Sequence, residues 1–369
     1  MRVSNRFLYY QIVKDLGKST EKLFTLNNQI SSGKRVTKPS DDPLGLAQVL
    51  IYRTELNGFE QFQKTINFAD GWLTRMDSIC TGVDDQLGRA SELAVQQASA
   101  TADADTRAGA AAEIKTIRQT ILSQGNAKYG DKYIFGGTMT QNPPFLWANA
   151  ELLQDDVDTL AADHAGAIAN LGGAVSAGDR YINTTDGNIY EYDGAAWQVS
   201  AAASEGFSAV VNDQGGLYIY SDGQWVSQYR GNDSIFSVKI GKEDTVEINI
   251  PGKELFMNPG GDVFMTLMRL ERALLDNDQQ GIQNALADIE NSSKTVMNKL
   301  AKVGAIANRL DNTKATIRRS DVDVKERVSN IEDLDYADAY TQLKNQQTIY
   351  EASLQSTALI TSMSLIDFI

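Results

Sequence analysis

The stretch IQNALADIENSSKTVMNKLAKVGAIANRLDNTKATIRRSDVDVKERVSNI, residues 282–331, decides the fold of this chain. Ile282, Leu286, Ile289, Ser293, Val296, Leu300, Val303, Ala307, Leu310, Lys314 and Ile317 alternate steps of four and three, and Val324, Val328 and Ile331 continue the row. An apolar row of this period forms a coiled-coil seam, and one helix cannot bury its own seam. The partner is in the same chain. Phe62, Ile66, Ala69, Leu73, Met76, Cys80, Val83, Leu87, Ala90 and Ala94 carry the same alternation. The chain is therefore expected to run out along one long helix and return along another.

Both ends extend the pattern. Residues 1–32 read as a helix with Val3, Phe7 and Tyr10 on one face, followed by Ile12, Leu16, Ser19, Leu23, Leu26 and Ile30. Gly33 suits a helix C-terminus, and Asp41 or Asp42 can cap a new helix with Pro43 in its first turn. A shorter helix is expected over 107–125, doubling back on the second. The last helix, from Asp333 to Ile369, shows Tyr336, Tyr340, Leu343, Tyr350, Leu354, Ala358, Thr361, Leu365 and Phe368.

The centre changes language. Tyr133-Ile134-Phe135 reads as a short strand, and Leu152 to Leu160 as a helical turn. Tyr190, Tyr192 and Trp197 recur as Tyr218, Tyr220 and Trp225 at an offset of 28 residues. Each copy reads as strand–turn–strand, turning at Asp193-Gly194 and Asp222-Gly223. Phe236, Val238 and Ile240 with Val246, Ile248 and Ile250 make a further hairpin, and Asp262 can cap a helix through Val263, Leu267, Leu270 and Leu274. The expected fold is mainly α with a β-rich insertion. Residues 1–38 with 333–369 form a terminal coiled-coil part, 39–131 with 262–332 a helical part, and 132–261 an outer β-rich part.

Composition narrows the function. The 369 residues carry a formal net charge of -14, which opposes binding to nucleic acid or an anionic membrane. Eighteen consecutive apolar residues never occur, so no bilayer span is expected, and the first residues lack the apolar core of a secretory signal. The single cysteine, Cys80, lies on the seam and excludes a disulfide framework. The lone histidine, His164, is expected to be solvent-exposed. Asp155, Asp156 and Asp158 lack the spacing of a calcium loop. There is no phosphate-binding glycine loop and no nucleophile elbow. No catalytic, cofactor or metal site is expected, and the chain does not read as an enzyme. The hairpin aromatics over 180–228 read as cross-strand pairs, with a glycan-binding face as the alternative.

The two terminal helices bury little surface as an isolated pair, which makes them natural polymerisation surfaces. The residues expected to carry assembly are Val3, Phe7, Tyr10, Leu16, Leu23, Leu26, Ile30, Leu343, Tyr350, Leu354, Leu365 and Phe368.

The run Gln29-Ile30-Ser31-Ser32-Gly33-Lys34-Arg35-Val36 with Pro39-Ser40-Asp41-Asp42-Pro43 resembles an N-terminal signature of the flagellin superfamily. So do Tyr133-Ile134-Phe135-Gly136-Gly137 with Pro144-Phe145, Asn308-Arg309-Leu310, Ser329 to Asp335, and the closing Ser364-Leu365-Ile366-Asp367-Phe368. Within it, the resemblance is closest to the flagellar hook-associated protein 3 (FlgL) family, with flagellin as the alternative. The resemblance implies a structural subunit between hook-associated protein 1 (FlgK type) and the flagellin filament, self-associating in a ring. It also implies an extracellular, flagellar location, type III export without a cleaved signal, and a FlgN-type chaperone on the C-terminal helix. The duplicated hairpins are a departure from a minimal member.

Overall fold

A computed structural model describes residues 2–99, 102–148, 153–204, 207–211, 216–221, 223–258 and 261–366. The helices are α1 (Arg2–Ser32), α2 (Pro43–Gln97), α3 (Ala104–Gly125), α4 (His164–Asn170), α5 (Gly252–Phe256), α6 (Val263–Leu275), α7 (Gln279–Glu332) and α8 (Tyr336–Ile366). The strands are β1 (Lys128–Tyr129), β2 (Lys132–Tyr133), β3 (Leu153–Val157), β4 (Thr159–Ala161), β5 (Arg180–Asn183), β6 (Ile189–Tyr192), β7 (Trp197–Ala201), β8 (Ser208–Val211), β9 (Gly216–Ser221), β10 (Gln224–Ser227), β11 (Ser237–Lys239), β12 (Thr245–Glu247), β13 (Met257–Asn258) and β14 (Gly261–Asp262). The chain divides into two compact units, Met1–Gln63 with Lys314–Ile369, and Lys64–Thr313.

The four-three rows become the helical cores. On α2, Ile66, Ala69, Leu73, Met76, Cys80, Val83, Leu87, Ala90 and Ala94 are all buried. On α7 the row is fully buried once per heptad, at Ile282, Ile289, Val296, Val303, Leu310, Ile317 and Val324, and Ala285 and Ser292 join it near the start of the helix. Leu286, Ser293, Leu300, Ala307 and Lys314 between them are half-buried. Burial of Cys80 among these side chains pushes its thiol up to about 12, with Asp77 adding to the shift.

In the larger unit, α3 runs antiparallel to α2. Arg89 Nε donates to Glu113 at 2.7 Å, and further along Gly82 faces the Gln124 side chain. Asp103 caps α3 by accepting from Thr106 N–H at 2.8 Å, and Asp262 caps α6 by accepting from Met265 N–H at 2.8 Å. Between α3 and α6 lies a buried ion pair. Arg118 Nε and Nη2 donate to Glu271 Oε2 at 3.2 and 2.9 Å, and both side chains are 2% exposed. Phe135, Phe145, Phe256 and Phe264 pack as one aromatic cluster at the base of the β region.

The 28-residue duplication is larger than the two hairpins. Strands β5-β6-β7 and β8-β9-β10 are equivalent antiparallel meanders, and in each the Tyr–Trp pair sits in register, Tyr192 with Trp197 and Tyr220 with Trp225. Each meander gains a fourth strand in parallel, β4 beside β5 and β3 beside β8. The described part of the segment expected as a helical turn over Leu152 to Leu160 is therefore strand, the correction being that β3 and β4 supply one edge to each sheet. The spacing of its leucines suits either period, and the parallel partners lie more than 20 residues away in sequence, beyond local pattern.

The hairpin aromatics pack on one another. Tyr218, Tyr220 and Trp225 lie against a core of Val157, Ile182, Ile189, Phe207, Ala209 and Val211, and Tyr190 and Trp197 against Ala161, Ala167 and Tyr181. Trp225 Nε1 donates to Gly187 O at 2.7 Å, tying the second repeat to the turn of the first. His164 is exposed as expected, yet it stacks on Trp197 at 6.0 Å and meets the Tyr181 hydroxyl through Nδ1 at 2.6 Å. Asp163 caps α4 by accepting from Gly166 N–H, and Asp179 and Asp193 accept backbone N–H groups at turns, a structural use for these acidic side chains.

Candidate assembly surface

The smaller unit holds the residues singled out for assembly. Its two helices, α1 and α8, pack against each other. Gln346 Nε2 donates to Ser19 Oγ at 2.7 Å, and both side chains are buried. Gly33, just past α1, faces Tyr336 at the start of α8, so the pair is antiparallel. Seven residues from Ser19 and Gln346 the next buried positions are Leu26 and Ala339. Ile12, Leu16, Leu23 and Ile30 on α1 are half-buried at matching spacing, as are Leu343, Tyr350, Ser353 and Thr357 on α8. The seam is thin. Among the described residues of the pair only Ser19, Leu26, Ala339 and Gln346 are fully buried.

Gly33 ends α1 at φ +71°, and an added Cβ would lie 2.7 Å from the Tyr336 hydroxyl, so glycine is required twice over. Asp42 caps α2 through Gly45 N–H at 2.8 Å, while Asp41 accepts from Thr37 and Lys38 N–H at 3.1 and 2.8 Å. Those backbone donors, Lys38 first, hold the Asp41 carboxyl below the usual range. The segment after α1 is zipped to the α7–α8 bend. Arg35 N–H donates to Glu332 O at 2.7 Å, Leu334 N–H to Gly33 O at 3.0 Å, and the backbones of Lys34 and Asp333 form an isolated antiparallel β-bridge.

Glu332 is the node of this crossing. Its carboxylate accepts from Lys34 Nζ at 2.6 Å and from Arg53 Nη2 at 2.8 and 2.9 Å. Burial pushes the Glu332 carboxyl upward, but the hydrogen bonds from Lys34 and Arg53 outweigh it and hold the carboxyl below its ordinary value. Sequence reading passed over this node, because its three members are separated by up to 298 residues. The one available signal was the position of Lys34 and Glu332 inside the two terminal motifs.

The candidate residues separate by exposure. Leu26 is buried, and Leu16, Leu23, Ile30, Leu343 and Tyr350 are half-buried. Phe7 is 72% exposed, Tyr10 69% and Leu354 45%. The side chains of Val3 and Leu365 and the whole of Phe368 lie outside the described residues. Sequence reading missed further exposed apolar side chains, Phe24 on α1 and Ile349 on α8. It also missed Leu44, Leu50 and Ile51 on the first turns of α2. Exposed apolar side chains are thus carried by α1, α8 and the first turns of α2. Among the described residues no group of three His, Cys, Asp or Glu side chains converges as a metal site, and no helix is long and apolar enough to cross a membrane.

Paired terminal helices with exposed apolar side chains thus flank a β-rich centre in the chain. The model for the bacterial flagellin N-terminal helical region matches residues 3–140, and that for the flagellin C-terminal helical region matches residues 275–369. With both terminal regions matched, over more than half its length, the chain belongs to the flagellin superfamily, a family of structural flagellar proteins rather than enzymes.

Among its relatives is flagellar hook-associated protein 3 of Salmonella typhimurium, 30% identical over 146 residues, 39% of this chain and 46% of that one. Flagellar hook-associated protein 3 of Escherichia coli is 27% identical over 210 residues, 55% of this chain and 64% of that one. The matched part thus spans about half to two thirds of these relatives. Flagellin E of Vibrio cholerae is 22% identical over 368 residues, covering 92% of this chain and 91% of that one. The crystal structure of Xanthomonas campestris FlgL shares the fold with a TM-score of 0.50 at 15% identity, over 75% of this chain and 99% of that one.

Proposed function

We propose that this chain is the structural subunit that joins the hook of the bacterial flagellum to its flagellin filament. The observation that carries this reading is the exposure of Phe7, Tyr10 and Leu354 on a terminal helix pair whose own seam is thin. Such a pair gains stability by laying its apolar faces on copies of itself and on neighbouring subunits. The likeness to hook-associated protein 3 of Salmonella typhimurium and Escherichia coli supports the junction over the filament. On this reading the neighbours are hook-associated protein 1 on one side and flagellin on the other, with the subunits closed in a ring.

The terminal part, 1–38 with 333–369, then forms the inner layer, and 39–131 with 262–332 the middle one. The β-rich part, 132–261, faces solvent. The subunit reaches its site outside the cell by type III export, with a FlgN-type chaperone covering the C-terminal helix beforehand. Immunogold labelling of flagella tests the reading. A narrow band at the hook–filament boundary is expected, and label along the filament would make the chain a filament subunit instead.

A further inference from the structure

We infer that the buried Ser19–Gln346 hydrogen bond is a register lock, a contact inside the seam that adds to the backbone zip at Gly33 and Leu334 in selecting one alignment of α1 against α8. The inference concerns the isolated chain and stands apart from the junction reading.

The α1–α8 seam repeats every seven residues, so its apolar positions alone do not distinguish the observed alignment from one slipped by a heptad. The polar pair does. Ser19 and Gln346 are both buried, and their side chains meet at 2.7 Å across the seam. In an antiparallel pair, a slip of seven residues in one direction sets Gln346 opposite Leu26, and in the other opposite Ile12. Either slip leaves the Gln346 amide facing an aliphatic side chain without the hydroxyl it now uses. A buried amide deprived of its partner is strongly disfavoured, whereas the aligned pair contributes little net stability beyond an apolar contact. The pair therefore discriminates between alignments more than it stabilises any one of them.

Alignment matters to the exposed face. Counting outward from Ser19 opposite Gln346, nine residues back along α1 reach Tyr10 and eight forward along α8 reach Leu354. Two exposed apolar residues from opposite ends of the chain thus lie at the same level of the pair. A one-heptad slip would separate them by about 10 Å along the axis.

Intramolecular disulfide trapping in the full-length protein, with Cys80→Ser as background and at dilution that excludes association, tests the inference. One step on from Ser19 opposite Gln346, Leu23 comes level with Leu343, so Leu23→Cys with Leu343→Cys reports the observed alignment. Leu23→Cys with Tyr350→Cys reports a slip, since residues displaced by about 10 Å are outside disulfide reach. With Ser19 and Gln346 intact, only the aligned pair should cross-link. With Gln346→Leu added, the slipped cross-link should rise about ten-fold or more relative to the aligned one, and Ser19→Thr, which keeps the hydroxyl, should remain exclusive. Exclusive alignment in the Gln346→Leu protein would overturn the inference. So would loss of both cross-links there, because the pair would then be a source of stability and not of selection.

Discussion

Arg53 on α2 and Glu332 at the end of α7 are joined by two hydrogen bonds, at 2.8 and 2.9 Å, across 279 residues of sequence. Lys34 completes the node from the segment after α1. One carboxylate therefore ties together α2, α7 and the start of the terminal pair, where the two halves of the chain cross.

Loss of that carboxylate is expected to loosen the terminal unit. Glu332→Gln removes the charge that Lys34 and Arg53 share, at a cost of about 1–3 kcal/mol. The folded state holds the Glu332 carboxyl below its ordinary value of 4.5, so its contribution is complete above that value. It is lost as pH falls through the folded-state value. Thermal melts from pH 7 down to pH 3 should show an acid-side loss in the wild type that Glu332→Gln lacks.

Asp262 is expected to behave in the opposite sense. Burial pushes its carboxyl up to about 6 from 3.8, despite backbone donors from Met265 and Phe264 and the charge of Arg269. The folded state then binds the proton more tightly than the unfolded chain, so stability falls as pH rises from about 4 through about 6. Asp262→Asn keeps an oxygen for Met265 N–H and removes the charge. It should be more stable at pH 7 by up to about 3 kcal/mol, with the advantage gone near pH 4, by urea titration at both values.

The Arg118–Glu271 pair is buried to 2% exposure on both sides. Burial lowers the Arg118 pKa while the Glu271 charge and hydrogen bond oppose that shift. Glu271→Leu alone strands the guanidinium and should cost about 3–5 kcal/mol, whereas Arg118→Met with Glu271→Leu should cost much less. A double-mutant cycle in urea checks this; equal losses in the single and double variants would refute it.

Much of the helical architecture is readable from residue spacing. The burial of Ile282, Ile289, Val296, Val303, Leu310, Ile317 and Val324 at intervals of seven follows directly from the four-three row over 282–331. The hairpins were legible too, because Asp193-Gly194 and Asp222-Gly223 are local turn signals flanked by alternating aromatics. What escaped is non-local. The parallel edges β3 and β4 depend on partners far along the chain. On α8 the seam runs through Gln346. A search for apolar residues skips a glutamine, although its spacing of seven from Ala339 places it on the same line. For the same reason Leu343 and Tyr350 go half-buried into the pair while Leu354 stays exposed.

Gly187 should prove intolerant of a side chain. Its φ is +81°, an added Cβ would lie 2.6 Å from the Tyr220 ring, and its carbonyl receives the Trp225 indole. Gly187→Ala should destabilise the β region by about 1–3 kcal/mol. Gly130, also at positive φ but facing open space, should lose less on the same change. Tryptophan fluorescence during denaturation reads the difference.

The central claim is that the exposed faces of α1 and α8 join this subunit to its neighbours. The most direct measurement is electron microscopy of flagella from cells carrying Tyr10→Asp with Leu354→Asp, beside circular dichroism of the purified variant. The account predicts a helical, folded subunit and hooks without filaments. Full-length filaments on hooks built with that variant would contradict it.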